Sequence, residues 1–331
     1  MFVIAAVLLG PLTYLSMQKR NETIALVLNS EIWTMNINGS NLKQLTDPDK
    51  EFPDTDPFDS QPAWSPDHGR IAFVRSHYKS SEGSASPEAV QSLYVMNAGG
   101  SGQRKLQDSA AVTPTWSPDS KRIAFTIVRE AGSSSIYVMN ADGWGEPTRL
   151  TSETAGTTDG SPAWSPDGTR IVLVSNRRHV RQLNNSYTDI YVMNACCAES
   201  ASNQPQRLTD KPGWNVDPAW SPDGTEIAFT FLEFGSARLL YGDGAITNED
   251  VYKMDANGSG ESRLTHASSD KYFEHRPVWS PSGDRLAFVK YDLSSGTHAD
   301  TGSTIYLMNP DGSDPSLVKR FPKAYDLELA W

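Results

Sequence analysis

The chain has 331 residues, 38% hydrophobic and 21% charged, an ordinary composition for a folded protein with a real core. Its formal net charge of −11 excludes the basic footprint of a nucleic-acid binder and points to cations, or to proteins with a basic face, as partners. Its two cysteines, Cys196 and Cys197, are adjacent, which excludes a long-range disulfide framework; the expectation is two thiols in a surface loop, with a strained vicinal disulfide as the alternative.

The first element in chain order is apolar. Residues 2–17, FVIAAVLLGPLTYLSM, carry no charge. As a helix they would span about 24 Å, against a hydrocarbon core of about 30 Å. Residues 1–20 are expected to form a short apolar helix acting as a membrane anchor or uncleaved signal. Lys19 and Arg20 follow it, the reverse of the charge order of an exported domain.

From residue 22 onward the chain repeats itself. Trp-Ser-Pro occurs at Trp64, Trp116, Trp164, Trp220 and Trp279, each time followed by a turn and an apolar triplet, as in PAWSPDGTRIVL. A second motif, of the type IYVMN, alternates with it and carries Trp33, Tyr94, Tyr137, Tyr191, Tyr252 and Tyr306. A third, Leu-Thr, starts at Leu45, Leu150, Leu208 and Leu264, with Leu106 and Leu317 in the same place without the threonine.

One unit can be read physically. Its short aromatic and β-branched runs are strands. In Ser-Pro-Asp-Gly, proline presets φ at the first corner, aspartate suits the second and glycine accepts the left-handed position. Strands one and two therefore form a hairpin, IYVMN is strand three and Leu-Thr is strand four. A four-stranded antiparallel sheet cannot bury both faces alone, so the units stack face to face.

These repeats resemble the TolB-type β-propeller repeat over residues 22–331, nearly the whole chain. The resemblance implies an all-β propeller of four-stranded antiparallel blades and an extracytoplasmic setting, periplasmic or at the cell surface. The family's namesake has an α/β domain ahead of its propeller; none is read in this sequence, so no Tol-Pal role is carried over.

The strand-three motif occurs six times and the Trp-Ser-Pro hairpin five times. The missing half is split: ELAW, ending at Trp331, matches QPAW ending at Trp64, and TIALVL from Thr23 matches RIAFV from Arg70. The expectation is six blades, with one blade shared between N- and C-terminal strands.

The loops between strands two and three, and between blades, fall on one rim, here called upper. They are long and irregular, which marks an interaction face. Five residues before each Trp stand Asp59, Ala111, Asp159, Asn215, Glu274 and Asp326; three before stand Gln61, Thr113, Ser161, Asp217, Arg276 and Glu328. Strict alternation would turn both sets toward the central channel. That predicts an electronegative mouth, for a cation or a partner's basic group, at Asp59, Asp159, Asn215, Asp217, Glu274, Arg276, Asp326 and Glu328. Solvated polar residues in a wet channel are the plainer alternative. Arg177, Arg178 and Arg181 are read as a basic patch on one upper loop.

No G-x-S-x-G elbow is present, although similar propellers precede serine-hydrolase domains in prolyl-oligopeptidase-like enzymes. The six histidines show no metal-ligand spacing, and no dinucleotide or phosphate-loop fingerprint occurs. The expectation is a non-enzymatic, membrane-tethered interaction scaffold without a cofactor. A carbohydrate-active hydrolase or lyase using upper-funnel carboxylates is the first alternative. A small-ligand or ion sensor is the second.

Overall fold

The computed structural model describes residues 23–331 except 54, 80–87, 109, 130–131, 180–186, 201–202, 236–244, 267–271, 293–301, 323 and 325–326. The apolar segment 1–20, Arg181 and Asp326 lie outside the described residues. Among the described residues, no helix is long and apolar enough to cross a membrane.

Six four-stranded antiparallel sheets form the blades of a propeller. Blade 1 contains β1 (Thr23–Leu28), β2 (Glu31–Asn36) and β3 (Lys43–Gln44). Blade 2 is β4 (Phe58–Trp64), β5 (Arg70–Lys79), β6 (Glu88–Asn97) and β7 (Arg104–Gln107). Blade 3 is β8 (Ala111–Trp116), β9 (Arg122–Val128), β10 (Ser134–Asn140) and β11 (Thr148–Arg149). Blade 4 is β12 (Asp159–Trp164), β13 (Arg170–Ser175), β14 (Asp189–Asn194) and β15 (Gln206–Arg207). Blade 5 is β16 (Trp214–Trp220), β17 (Glu226–Gly235), β18 (Ala245–Asp255) and β19 (Ser262–Arg263). Blade 6 is β20 (Tyr272–Trp279), β21 (Leu286–Asp292), β22 (Gly302–Met308) and β23 (Ser316–Pro322).

The last strand, β24 (Leu329–Ala330), joins blade 1 as its innermost strand, pairing Ala330 with Ala25 and Leu329 with Leu26. The ring closes by the predicted sharing of one blade. The inner strands β4, β8, β12, β16, β20 and β24 touch in sequence around the axis.

Each repeated motif has a physical task. In the Ser-Pro-Asp turns, the serine hydroxyl donates to the aspartate two residues on, as in Ser165–Asp167 and Ser221–Asp223, both 2.6 Å. The same hydroxyl accepts the N–H that starts the next strand, Arg170 and Glu226, at 2.9 Å. The hairpin is thus closed by side chains as well as by backbone. The strand-two and strand-three aromatics pair across the sheet at Phe73–Tyr94, Phe229–Tyr252 and Phe288–Tyr306, with centroids 5.6, 5.8 and 5.6 Å apart. Such pairs add about 0.5–1.5 kcal/mol beyond their buried area.

The Leu-Thr motif is not strand four, as the sequence reading expects. In blades 1, 3, 4 and 5 the strand ends just before it. The threonine hydroxyl instead accepts the strand-three N–H: Ile32 to Thr46, Ile136 to Thr151, Ile190 to Thr209 and Val251 to Thr265, at 2.8–3.0 Å. The leucine carbonyl receives the outer turn of the next blade. Gly258, at φ +89°, would place a Cβ 2.8 Å from the Leu208 carbonyl oxygen, and Gly312, at φ +84°, 2.6 Å from that of Leu264. Only glycine fits there.

The blades are also stapled at their hairpins. Arg70, Arg122 and Arg170 each lie over the tryptophan of the following blade, Trp116, Trp164 and Trp220, at 4.5, 4.8 and 4.7 Å from the ring centroid.

Candidate functional site

The two acidic sets that strict alternation would bring together are separated. Each inner strand of blades 2 to 6 carries a bulge directly before its Pro-x-Trp or equivalent segment. The bulged residues are Gln61, Thr113, Ser161, Asp217 and Arg276, with φ of +53°, +52°, +47°, +52° and +55°. All precede a proline, which has no N–H to give a ladder. Non-glycine residues rarely hold this conformation, and five in register form an unusual ring.

The bulge turns these residues into the channel. With Glu328 of blade 1 they line a central cavity of about 260 Å³. Arg276 Nη1 pairs with Glu328 Oε1 at 3.0 Å. The other Glu328 oxygen accepts the N–H of Gln61. Gln61 Oε1 then accepts the N–H of Thr113 at 2.6 Å. The side chain of one blade therefore caps the strained backbone of the next. Burial pushes the Glu328 carboxyl above its usual range, while Arg276 pulls it back. Asp217 makes no hydrogen bond or ion pair among the described residues, and stands close enough to Glu328 to act on its charge.

The outer acidic set faces the seams between blades. Asp59, Asp159, Asn215 and Glu274 are buried. Arg75, itself 2% exposed, forks onto both Asp59 oxygens at 2.7 Å and also binds Glu51. Asp159 accepts from Ser175 at 2.5 Å and pairs with Arg177 at 2.9 Å. Glu274 pairs with Lys290 at 2.8 Å. The expected electronegative mouth is corrected accordingly: in sheets set radially, alternating side chains point at flanking blades, and in blades 2 to 6 a bulge turns one residue to the axis. Arg177 is likewise turned inward, onto Asp159 and Glu199, leaving Arg178 exposed on that loop.

A second cavity, of about 340 Å³, opens beside the first and shares Gln61 and Glu328 with it. It lies where blade 1 joins β1 to β2 by the two-residue turn Asn29–Ser30, with φ of +53° and +67°. Among the described residues, no group of three or more His, Cys, Asp and Glu is placed to hold a metal ion.

The sequence reading misses Arg75 and Glu51, whose signals, an arginine in the middle of strand two and a glutamate in a loop, do not recur in other blades. It names Gln61, Thr113 and Ser161 as channel residues but gives them no part in the binding site.

A TolB beta propeller domain profile matches residues 61–186 and 161–304, well over half of the chain. The chain belongs to the TolB β-propeller family. It is 29% identical over 258 residues to the uncharacterized protein Atu1656 of Agrobacterium fabrum, covering 76% of this chain and 73% of that protein. It is 28% identical over 221 residues to the uncharacterized peptidase YuxL of Bacillus subtilis, covering 59% of this chain but only 32% of YuxL. The chain therefore spans about a third of that relative's length. The TolB structure from Acinetobacter baumannii superposes with a TM-score of 0.63 at 20% identity, covering 95% of this chain and 67% of that one. At that identity the likeness concerns the fold.

Proposed function

We propose that this TolB-family propeller is a non-catalytic binding module whose channel mouth takes a cationic group of a partner protein. The observation that carries the reading is Asp217. It sits on a left-handed residue in the channel and lacks an ion pair among the described residues, while its neighbours Arg276 and Glu328 neutralise each other. A fixed carboxylate at a concave mouth favours a lysine, arginine or N-terminal amine. In this reading residues 1–20 tether the propeller, 22–331, to a membrane on its extracytoplasmic side.

The carboxylate geometry supports binding over glycoside chemistry. A hydrolase needs two free carboxyls about 5–9.5 Å apart. Asp59 and Asp159 are already held by arginines, and Glu328 is held by Arg276 and Gln61.

The test is a random peptide display library selected on the immobilised chain and on Asp217→Asn. The reading expects peptides enriched in Lys and Arg from the first and no such enrichment from the second. Equal enrichment from both would remove Asp217 from the account.

The peptidase-named relative favours a second reading, in which the propeller serves as the accessory part of a hydrolase. Stable association of the chain with a separately supplied hydrolase domain, persisting in Asp217→Asn, would favour that reading.

A further inference from the structure

Blade 4 breaks the pattern of the outer turns. Between β14 and β15 stands the eleven-residue loop 195–205, in place of the six- or seven-residue connections that carry a glycine turn in the other blades. It carries Cys196 and Cys197, both exposed and adjacent in the chain. Buried Asn203 clips this loop. Its Nδ2 donates to the carbonyls of Asn194 at 3.2 Å and Cys197 at 2.8 Å, and its Oδ1 accepts the Asn194 N–H at 3.0 Å.

Two residues after the cysteines, Glu199 takes over the contact that glycine makes in other blades. Its N–H donates to the Leu150 carbonyl at 2.6 Å. Its carboxylate accepts the Ser152 N–H at 2.9 Å and pairs with Arg177 at 3.3 Å. Arg177 holds the buried Asp159, two residues from the channel residue Ser161. One short loop thus joins an exposed dithiol to the seam between blades 3 and 4.

We propose that Cys196 and Cys197 are a site of reversible oxidation, a vicinal dithiol that small-molecule disulfides convert to a Cys196–Cys197 disulfide, and that this conversion loosens the seam between blades 3 and 4. Ionisation of the exposed Cys196 gives the first thiolate. It attacks one sulfur of the oxidant, expels the other as a thiolate and forms a mixed disulfide. Cys197, once deprotonated, attacks the Cys196 sulfur and expels the second thiolate. Two protein thiols are oxidised, one oxidant disulfide is reduced, and the two protein protons end on the two released thiols.

Adjacent Cα atoms lie about 3.8 Å apart, closer than the roughly 4.4–6.8 Å that a disulfide usually spans. Ring closure therefore turns the peptide between the cysteines, and the Cys197 carbonyl leaves Asn203. The clip opens and Glu199 loses its fixed position against blade 3.

The test equilibrates the full chain in graded ratios of reduced to oxidised glutathione, read by intact mass and by hydrogen exchange at the Ser152 amide. The expected result is a loss of two hydrogens without retained glutathione, reversed by reductant. Ser152 exchange should rise about tenfold on oxidation, as for a lost protecting hydrogen bond. Cys197→Ser should stop at the mixed disulfide. Glu199→Ala should exchange fast at Ser152 at every ratio. Unchanged mass, glutathione retained on both cysteines, or Ser152 exchange equal in the two forms would overturn the proposal. So would redox-dependent exchange persisting in Glu199→Ala.

Discussion

The carboxylate of Glu328 accepts the backbone N–H of Gln61, 267 positions away in sequence, across the joint between blades 1 and 2. The same carboxylate pairs with Arg276 of blade 6 at 3.0 Å. One side chain therefore ties three blades at the point where the ring closes. Its strand contributes only two paired residues, so closure leans on this side chain as much as on the ladder. Glu328→Ala should destabilise the fold by about 1.5–3 kcal/mol, the range for a hydrogen bond to a charged group. Deleting residues 326–331 should lower the melting temperature much further, and calorimetry of both variants checks this.

Arg75 is buried with Asp59 and also binds the exposed Glu51. Arg75→Met should cost about 3–5 kcal/mol, because it strands a buried carboxylate. Arg75→Met combined with Asp59→Leu should recover much of that loss. Denaturant melts of the three proteins give the coupling energy directly.

Arg122 over Trp164 predicts a smaller effect. Arg122→Ala should cost about 0.5–1 kcal/mol, and Trp164→Ala about 3–5 kcal/mol because a buried aromatic leaves a cavity. If Arg122→Ala matched the tryptophan variant, the staple would carry more of the seam than its geometry allows.

The hairpin aspartates set an acid limit. Bonds from Ser165 and Thr169 hold the Asp167 carboxyl down at about 2. A folded-state value below the unfolded one means that ionised Asp167 stabilises the fold above about pH 4, and that this is lost as pH falls toward about 2. Wild type should therefore melt above Asp167→Asn at pH 5, and the two should converge near pH 2. A gap that stayed constant across this range would contradict the assignment.

The fold was legible because its units repeat. Trp64 and Trp331 reveal the shared blade, and the serine–aspartate hairpins appear where the turn chemistry places them. The channel was legible only in part. Period-two alternation sends Asp59 and Gln61 the same way, but the bulge before Pro62 separates them. The signal was present in the proline that follows Gln61, Thr113, Ser161, Asp217 and Arg276, since proline inside a strand marks a bulge or an edge. The burial of Asp59 was not legible, because its partner Arg75 comes from a strand-two position that other blades fill differently, with Ile127, Ser175, Phe231 and Lys290.

The most direct test of the channel is the affinity of a library-selected cationic peptide for the wild-type chain and for Asp217→Asn, measured by titration calorimetry at two salt concentrations. The account predicts about a tenfold to hundredfold weaker binding to the variant, a smaller salt dependence and an unchanged melting temperature. Equal affinity for the two proteins would contradict it.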